Sequence, residues 1–174
     1  MKQVASILIC LIVFSCALQK ESLSISPIEV EELANSFTDT LIESGVDTIL
    51  VFTKGCSGCI KGVKKSVYVY WKQRETSKIR KYDSYTGVGS DNVIDDLVIY
   101  FYKHHNEIRQ QELKEPEYIL SHYNYTGIRL IINGKEFYKS EISEHLFNNL
   151  NDEKRLIIWI QKIESIIFNL ERRY

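Results

Sequence analysis

The chain has 174 residues, with 22 Lys and Arg against 23 Asp and Glu, a formal net charge of -1 and 44% apolar residues. That near-neutral balance argues against a dedicated nucleic-acid binder, whose affinity rests on an excess of cations. Eight glycines and two prolines exclude a low-complexity chain, and the length suffices for one domain with a real core that needs no disulfide staples.

Lys2 precedes an apolar run from Val4 to Phe14, which closes on Ser15-Cys16. A basic start, an apolar stretch and a small residue before a processing site are the order of an export signal. The run is too short to cross a bilayer, which takes about 20 residues. Val13-Phe14-Ser15-Cys16 resembles the lipobox of a bacterial lipoprotein, in which the cysteine is acylated and becomes the first mature residue. The resemblance implies a signal peptide over 1–15 and lipidation at Cys16; the rest of the chain reads as a short tether over 16–25 and a single α+β domain over 26–174. It also implies an exported protein, lipid-anchored to a bacterial membrane in the cell envelope. An ordinary secretory signal cut after Ala17 is the alternative reading. Cys10 leaves with the signal in either case, and Cys56 and Cys59 remain.

Ser26-Pro27-Ile28-Glu29 predicts a helix start: serine caps, proline suits the first turn and Glu29 completes a capping box. Val30, Leu33, Phe37 and Leu41 recur on one face, and Gly45 is placed to stop the helix. Residues 48–53 are short, branched and apolar, and predict a strand. Val67-Tyr68-Val69-Tyr70-Trp71 predicts another, because branched and aromatic side chains crowd the preceding turn of a helix. A helix over 60–72 is the competing expectation, weakened by Gly62. Residues 78–82 supply the antiparallel partner across a polar turn near 74–77.

Asp91 is positioned to cap a helix carrying Ile94, Leu97, Val98, Phe101, His105 and Ile108 on one side, and Pro116 ends any continuation. Residues 128–132 predict a strand, Asn133-Gly134 a two-residue hairpin turn, and 136–139 the returning strand. Asn151 is placed to cap a last helix with Leu156, Ile160, Ile163, Ile167 and Leu170 in a stripe, and Trp159 at its edge. Two hairpin–helix units follow, from about 66 to 109 and from about 127 to 171. The expected architecture is α+β: a mainly antiparallel sheet of about five strands with amphipathic helices packed on one face.

The stretches Tyr68-Val69-Tyr70-Trp71-Lys72, Arg80-Lys81-Tyr82-Asp83, Ile131-Ile132-Asn133-Gly134-Lys135 and Leu156-Ile157-Ile158-Trp159-Ile160 together resemble small lipoproteins of Bacteroidetes. That group has no assigned activity, so the resemblance carries no catalytic residues across.

Cys56-Ser57-Gly58-Cys59 has the spacing of a dithiol redox site. Phe52-Thr53-Lys54 ahead of it is similar to the start of a glutaredoxin-type site. This thioredoxin-like resemblance implies Cys56 at a helix start as the attacking thiol and Cys59 as the resolving one. The region that would carry the facing cis-proline, Thr126 to Ile131, contains no proline. A loop disulfide between Cys56 and Cys59, or an inert pair, is the alternative. His104 and His105 point about 100° apart on a helix, so they do not join the two cysteines in a zinc site. No metal, phosphate-loop or cofactor pattern stands out. Strand alternation sets Tyr68 and Tyr70 opposite Val67, Val69 and Trp71, which makes the two tyrosines a candidate binding surface for a protein, peptide or glycan if helices cover only the other face.

Two function classes emerge. The first is a non-catalytic envelope lipoprotein with a binding or structural role. The second is an envelope thiol-disulfide oxidoreductase using Cys56 and Cys59. The basic run Lys54, Lys61, Lys64, Lys65, Lys72, Arg74, Lys78, Arg80 and Lys81 follows the acidic segment Glu21, Glu29, Glu31, Glu32, Asp39, Glu43 and Asp47; each is expected to compensate the other, and an anionic surface or partner is the alternative.

Overall fold

The computed structural model describes residues 25–57, 64–110, 123–149 and 154–172. Cys16 with the signal and nearly all of the tether, Cys59 and Asn151 lie outside the described residues.

Helix α1 (Pro27–Glu43) starts as its sequence predicts. Ser26 Oγ accepts from the Glu29 N–H at 3.2 Å, and Glu29 Oε2 accepts from the Ser26 N–H at 2.7 Å. Ser44 and Gly45 end it, with Val46 N–H bonded to the Leu41 carbonyl at 3.0 Å. Its buried stripe is Val30, Ala34, Thr38 and Leu41, while Leu33 is exposed. Small side chains at 34 and 38 let the helix lie close to the sheet, and the Thr38 hydroxyl is satisfied by the Ala34 carbonyl at 2.8 Å.

Strand β1 (Thr48–Ser57) is central, with β2 (Ser66–Gln73) antiparallel on one side and β6 (Tyr123–Ile132) antiparallel on the other. β3 (Thr76–Asp83) extends the first side, and short β4 (Gly87–Val88) and β5 (Asn92–Val93) both pair with it. β7 (Lys135–Ser143) extends the second. The run over 67–71 is therefore extended. The hairpin turn at Asn133-Gly134 has φ of 50° and 73°, the left-handed pair that a two-residue turn demands. β1 outruns its predicted end at Thr53 because β6 pairs with it as far as Ser57.

The α+β antiparallel architecture is the observed one, with seven strands rather than about five. Helices cover both faces, not one. α1 packs on Ile49, Val51, Val67, Val69, Trp71 and Tyr82. Helices α2 (Ile99–Gln110) and α4 (Arg155–Glu171) pack on Leu50, Phe52, Tyr68, Tyr70, Ile79, Ile128 and Leu130. The physical reason lies in β1: Ile49, Leu50, Val51 and Phe52 are all apolar, so neither face of the central strand tolerates water. In chain order α2 comes after the β2–β3 hairpin and α4 after the β6–β7 hairpin, and both helices contribute to one apolar cluster. A short helix, α3 (Glu144–Asn149), follows β7.

Asp91 caps no helix. It accepts from Arg80 Nε at 2.7 Å, and the chain forms β5 before α2 begins at Ile99. Asp96 takes the local turn role, accepting from the Val98 N–H at 2.9 Å, from Tyr70 Oη at 3.0 Å and from Lys72 Nζ at 2.7 Å. α4 starts at Arg155 with Lys154 at its cap and no side-chain cap bond. Trp159 is not at the edge of its stripe but at the centre of the core. The basic run is compensated largely from a distance: Lys65 pairs with Glu31 of α1, but Lys54, Lys72, Arg80 and Lys81 pair with Glu164, Asp96, Asp91 and Glu171.

Candidate functional site

Three strand ends and two strand starts meet at one end of the sheet: the ends of β1, β3 and β7 and the starts of β2 and β6. A cleft of about 710 Å3 opens there. Its walls include Lys54 and Gly55 of β1, Ser66 and Tyr68 of β2, Lys81 and Asp83 of β3, Asn124 to Thr126 of β6, Phe147 of α3, and Glu164 and Glu171 of α4. Lys64 and Tyr85 come from the flanking segments.

Asp83 organises one wall. Its Oδ2 accepts from the Ser66 hydroxyl at 2.6 Å, and its Oδ1 accepts from the Tyr85 N–H at 2.8 Å and the Thr86 N–H at 3.2 Å. Lys81 Nζ lies 3.4 Å from Asp83 Oδ2 and 2.6 Å from Glu171 Oε1, and Tyr68 Oη donates to the same Glu171 oxygen at 2.7 Å. Burial by itself raises both carboxyl pKa values. The donors around each more than offset it and hold Asp83 and Glu171 below the usual carboxylate range. Burial lowers Lys81, but Glu171 and Asp83 more than restore it, so the ammonium is held above its ordinary value. Burial, with Glu171 and Asp83 adding to it, pushes the Tyr68 phenol well above its ordinary range.

On the other side Lys54 Nζ meets Glu164 at 2.7 Å and Asn124 Nδ2 donates to Glu144 at 2.7 Å. Lys64 Nζ stands 5.4 Å from the centre of the Tyr85 ring. Tyr125 lies directly against the backbone at Gly55, its partner in the β1–β6 register. A Cβ on residue 55 would fall 2.7 Å from the phenol Cζ and Oη. Only glycine lets the ring rest there. Gly55→Ala is therefore expected to cost about 1–3 kcal/mol by overpacking, and much less in a Tyr125→Ala background. Urea unfolding of the four members of that cycle checks it; an equal cost in both backgrounds would show that the ring is not what glycine accommodates.

Tyr125 also borders a smaller cleft of about 190 Å3 beside α1, where Arg129 Nη2 donates to Asn35 Oδ1 at 2.9 Å and Lys65 pairs with Glu31.

Tyr68 and Tyr70 are not the open face that alternation predicts. Tyr68 is 4% and Tyr70 1% exposed, because α2 and α4 cover that face. Tyr70 Oη is 3.0 Å from Ser77 Oγ and donates to Asp96 at 3.0 Å, a structural contact away from the cleft. Tyr68 reaches the cleft only as a wall, through its bond to Glu171. Cys56 stands inside β1 opposite Asn124, not at a helix start, and the expected pairing with Cys59 falls on a residue outside the described set. His104 Nδ1 is 3.2 Å from Glu107 Oε1, and His105 Nδ1 is 3.1 Å from the Tyr102 carbonyl. Each is committed within its own helix.

Sequence reasoning did not bring Lys81, Asp83, Tyr85, Tyr125 and Glu171 together as a site. Lys81 and Glu171 are 90 residues apart, and Tyr68 and Glu171 are 103 apart, so no local spacing announces them. The one local signal was Asp83-Ser84, a residue pair of the kind that forms side-chain turns directly after a strand.

The fold and site thus define an α+β domain with a charge-compensated cleft at the end of a helix-covered antiparallel sheet. Comparison with protein-family models, with curated proteins and with solved structures gave no match.

Proposed function

We propose that this chain is a non-catalytic, lipid-anchored protein of a bacterial cell envelope that binds a partner through the sheet-end cleft. The observation that carries it is electrostatic. Lys81 Nζ lies 3.4 Å from Asp83 and 2.6 Å from Glu171, and Tyr68 donates to Glu171 at 2.7 Å. Burial raises the phenol and is outweighed by these contacts at the other three groups, so both acids are held below and the phenol and ammonium above their ordinary pKa values. General acid–base work needs a group tuned toward the working pH, and these four are tuned the other way. A fixed, fully paired set of charges suits recognition, because its geometry does not change with a proton.

Anchoring rests on the Val13-Phe14-Ser15-Cys16 pattern and its preceding apolar run. Among the described residues no helix is long and apolar enough to cross a membrane, so no alternative helical anchor competes there. Metabolic labelling with a palmitate analogue is expected to mark the wild-type chain and not Cys16→Ala. Undiminished labelling of the variant would remove the anchor from this reading.

The thiol-disulfide reading keeps one supporting observation. Cys56 follows cleft-lining Gly55 and sits opposite cleft-lining Asn124, so a dithiol there would border the cleft. Its strand setting speaks against it, since low-pKa cysteines of this motif draw on a helix N-terminus. Disulfide transfer to a reduced substrate protein that is lost on Cys56→Ser would replace the binding role with an enzymatic one.

A further inference from the structure

We propose that the sheet-end cleft takes a neutral, hydroxyl-rich ligand, a short oligosaccharide segment, with the Tyr85 ring as its stacking platform. The inference rests on the cleft being a binding site and adds the class of its ligand.

Charge selects against ionic ligands. Three lysines, Lys54, Lys64 and Lys81, share the cleft with four carboxylates, Asp83, Glu144, Glu164 and Glu171. Lys54 and Lys81 are already ion-paired and Lys64 stands over the Tyr85 ring, so a charged ligand of either sign meets like charge at close range. A hydroxyl both donates and accepts. It can therefore use the outer lone pairs of Glu144 and Glu164, the Asn124 amide and the Thr126 hydroxyl without disturbing the pairs.

The aromatic component is exposed and held. Tyr85 is 46% exposed although its backbone N–H is tied to buried Asp83 at 2.8 Å. An exposed ring on a pinned backbone loses little freedom when a ligand covers it. Tyr125, seated on Gly55, and Phe147 add aromatic wall to the same cleft. The volume of about 710 Å3 lies in the range of small-ligand sites. Of the strands that border the cleft, β1, β2, β3 and β6 are paired on both sides, so an extended peptide has only the β7 edge to add to.

The test uses the full chain in amine-oxide detergent micelles, which contain no sugar. Maltotriose, cellotriose, xylotriose, mannotriose and triacetylchitotriose are offered beside trialanine, with saturation-transfer NMR and calorimetry as readouts. At least one trisaccharide is expected to bind. Tyr85→Ala should weaken it about tenfold, Tyr85→Phe should keep it, and both variants should retain the wild-type circular dichroism spectrum. Binding should persist in about 1 M NaCl, where exposed ionic recognition is screened. Silence from every trisaccharide, binding indifferent to Tyr85→Ala, or collapse of binding in salt would each overturn the inference. Trialanine binding alone would overturn the sugar class while leaving the cleft as a partner site. Neither class binding would overturn both the ligand class and the cleft's binding role, leaving the anchor to the Cys16 labelling.

Discussion

Trp159→Ala is expected to lower the unfolding free energy by about 4 kcal/mol, the largest loss of any single side chain considered. Trp159 is completely buried, its ring 4.7 Å from that of Phe101 and 6.1 Å from that of Tyr138. Its Nε1 donates to the Leu97 carbonyl at 2.8 Å. That bond ties α4 to the segment leading into α2, so the residue bridges the two hairpin–helix units within their common core. Truncation removes the ring and leaves a buried carbonyl without a partner, two costs that add. Trp159→Phe keeps most of the ring contacts and should lose about 1–3 kcal/mol, chiefly from the stranded carbonyl. Urea titrations followed by far-ultraviolet circular dichroism measure both. If Trp159→Ala stays within about 1 kcal/mol of the wild type, the two units are joined by something other than this ring. At the lower end of the ordinary range of total stability, about 5 kcal/mol, the alanine variant would keep only about 1 kcal/mol and be measurably unfolded at 25 °C.

Asp83→Ala is the second. The carboxylate accepts from Ser66, Tyr85 and Thr86 and faces Lys81, and it lies almost out of solvent. Removing it strands two backbone N–H groups and loosens the loop that carries Tyr85, at an expected cost of about 3 kcal/mol. The same group gives stability a pH dependence. Its folded pKa lies below the ordinary 3.8, so its contribution is present above the unfolded value and is lost as pH falls through the folded one. Asp96 and Glu171 are displaced in the same direction, Asp96 against burial by Lys72, the Val98 N–H and Tyr70, and Glu171 against burial by Lys81 and Tyr68. Wild-type stability should therefore hold from neutrality down to about pH 5 and decline below about pH 4. Asp83→Ala should decline less steeply over that acid limb. Matching slopes for the two proteins would mean that Asp83 ionises alike in the folded and unfolded chains.

The capping box at Ser26 and Glu29, the branched run at 67–71 and the Asn133-Gly134 turn were all legible because each depends on residues within a few positions of one another. Asp91 and Leu33 misled for the same reason. Asp91 has the chemistry of a helix cap, but Arg80 on the neighbouring strand captures it, and the chain adds β5 before turning helical. Leu33 fits an apolar stripe on paper, but Ala34 and Thr38 are the residues small enough for α1 to approach the sheet. Tyr68 and Tyr70 misled through alternation. A strand whose two faces are both buried still alternates between branched and aromatic side chains, and that alternation reads as one wet face and one dry.

By itself, then, the order of residues determined the five long strands, their two hairpins and the antiparallel sense of the sheet, but not the short β4 and β5. Those features arise from local backbone preference and from turns that reverse the chain within a few residues. Only the tertiary structure decided that both sheet faces are covered, that Trp159 sits at the centre, and that Lys81, Asp83 and Glu171 meet Tyr68 at the sheet end. Those outcomes join side chains that are mostly far apart in the chain and become neighbours when helices dock, where burial and pairing of charge, not local preference, set the free energy.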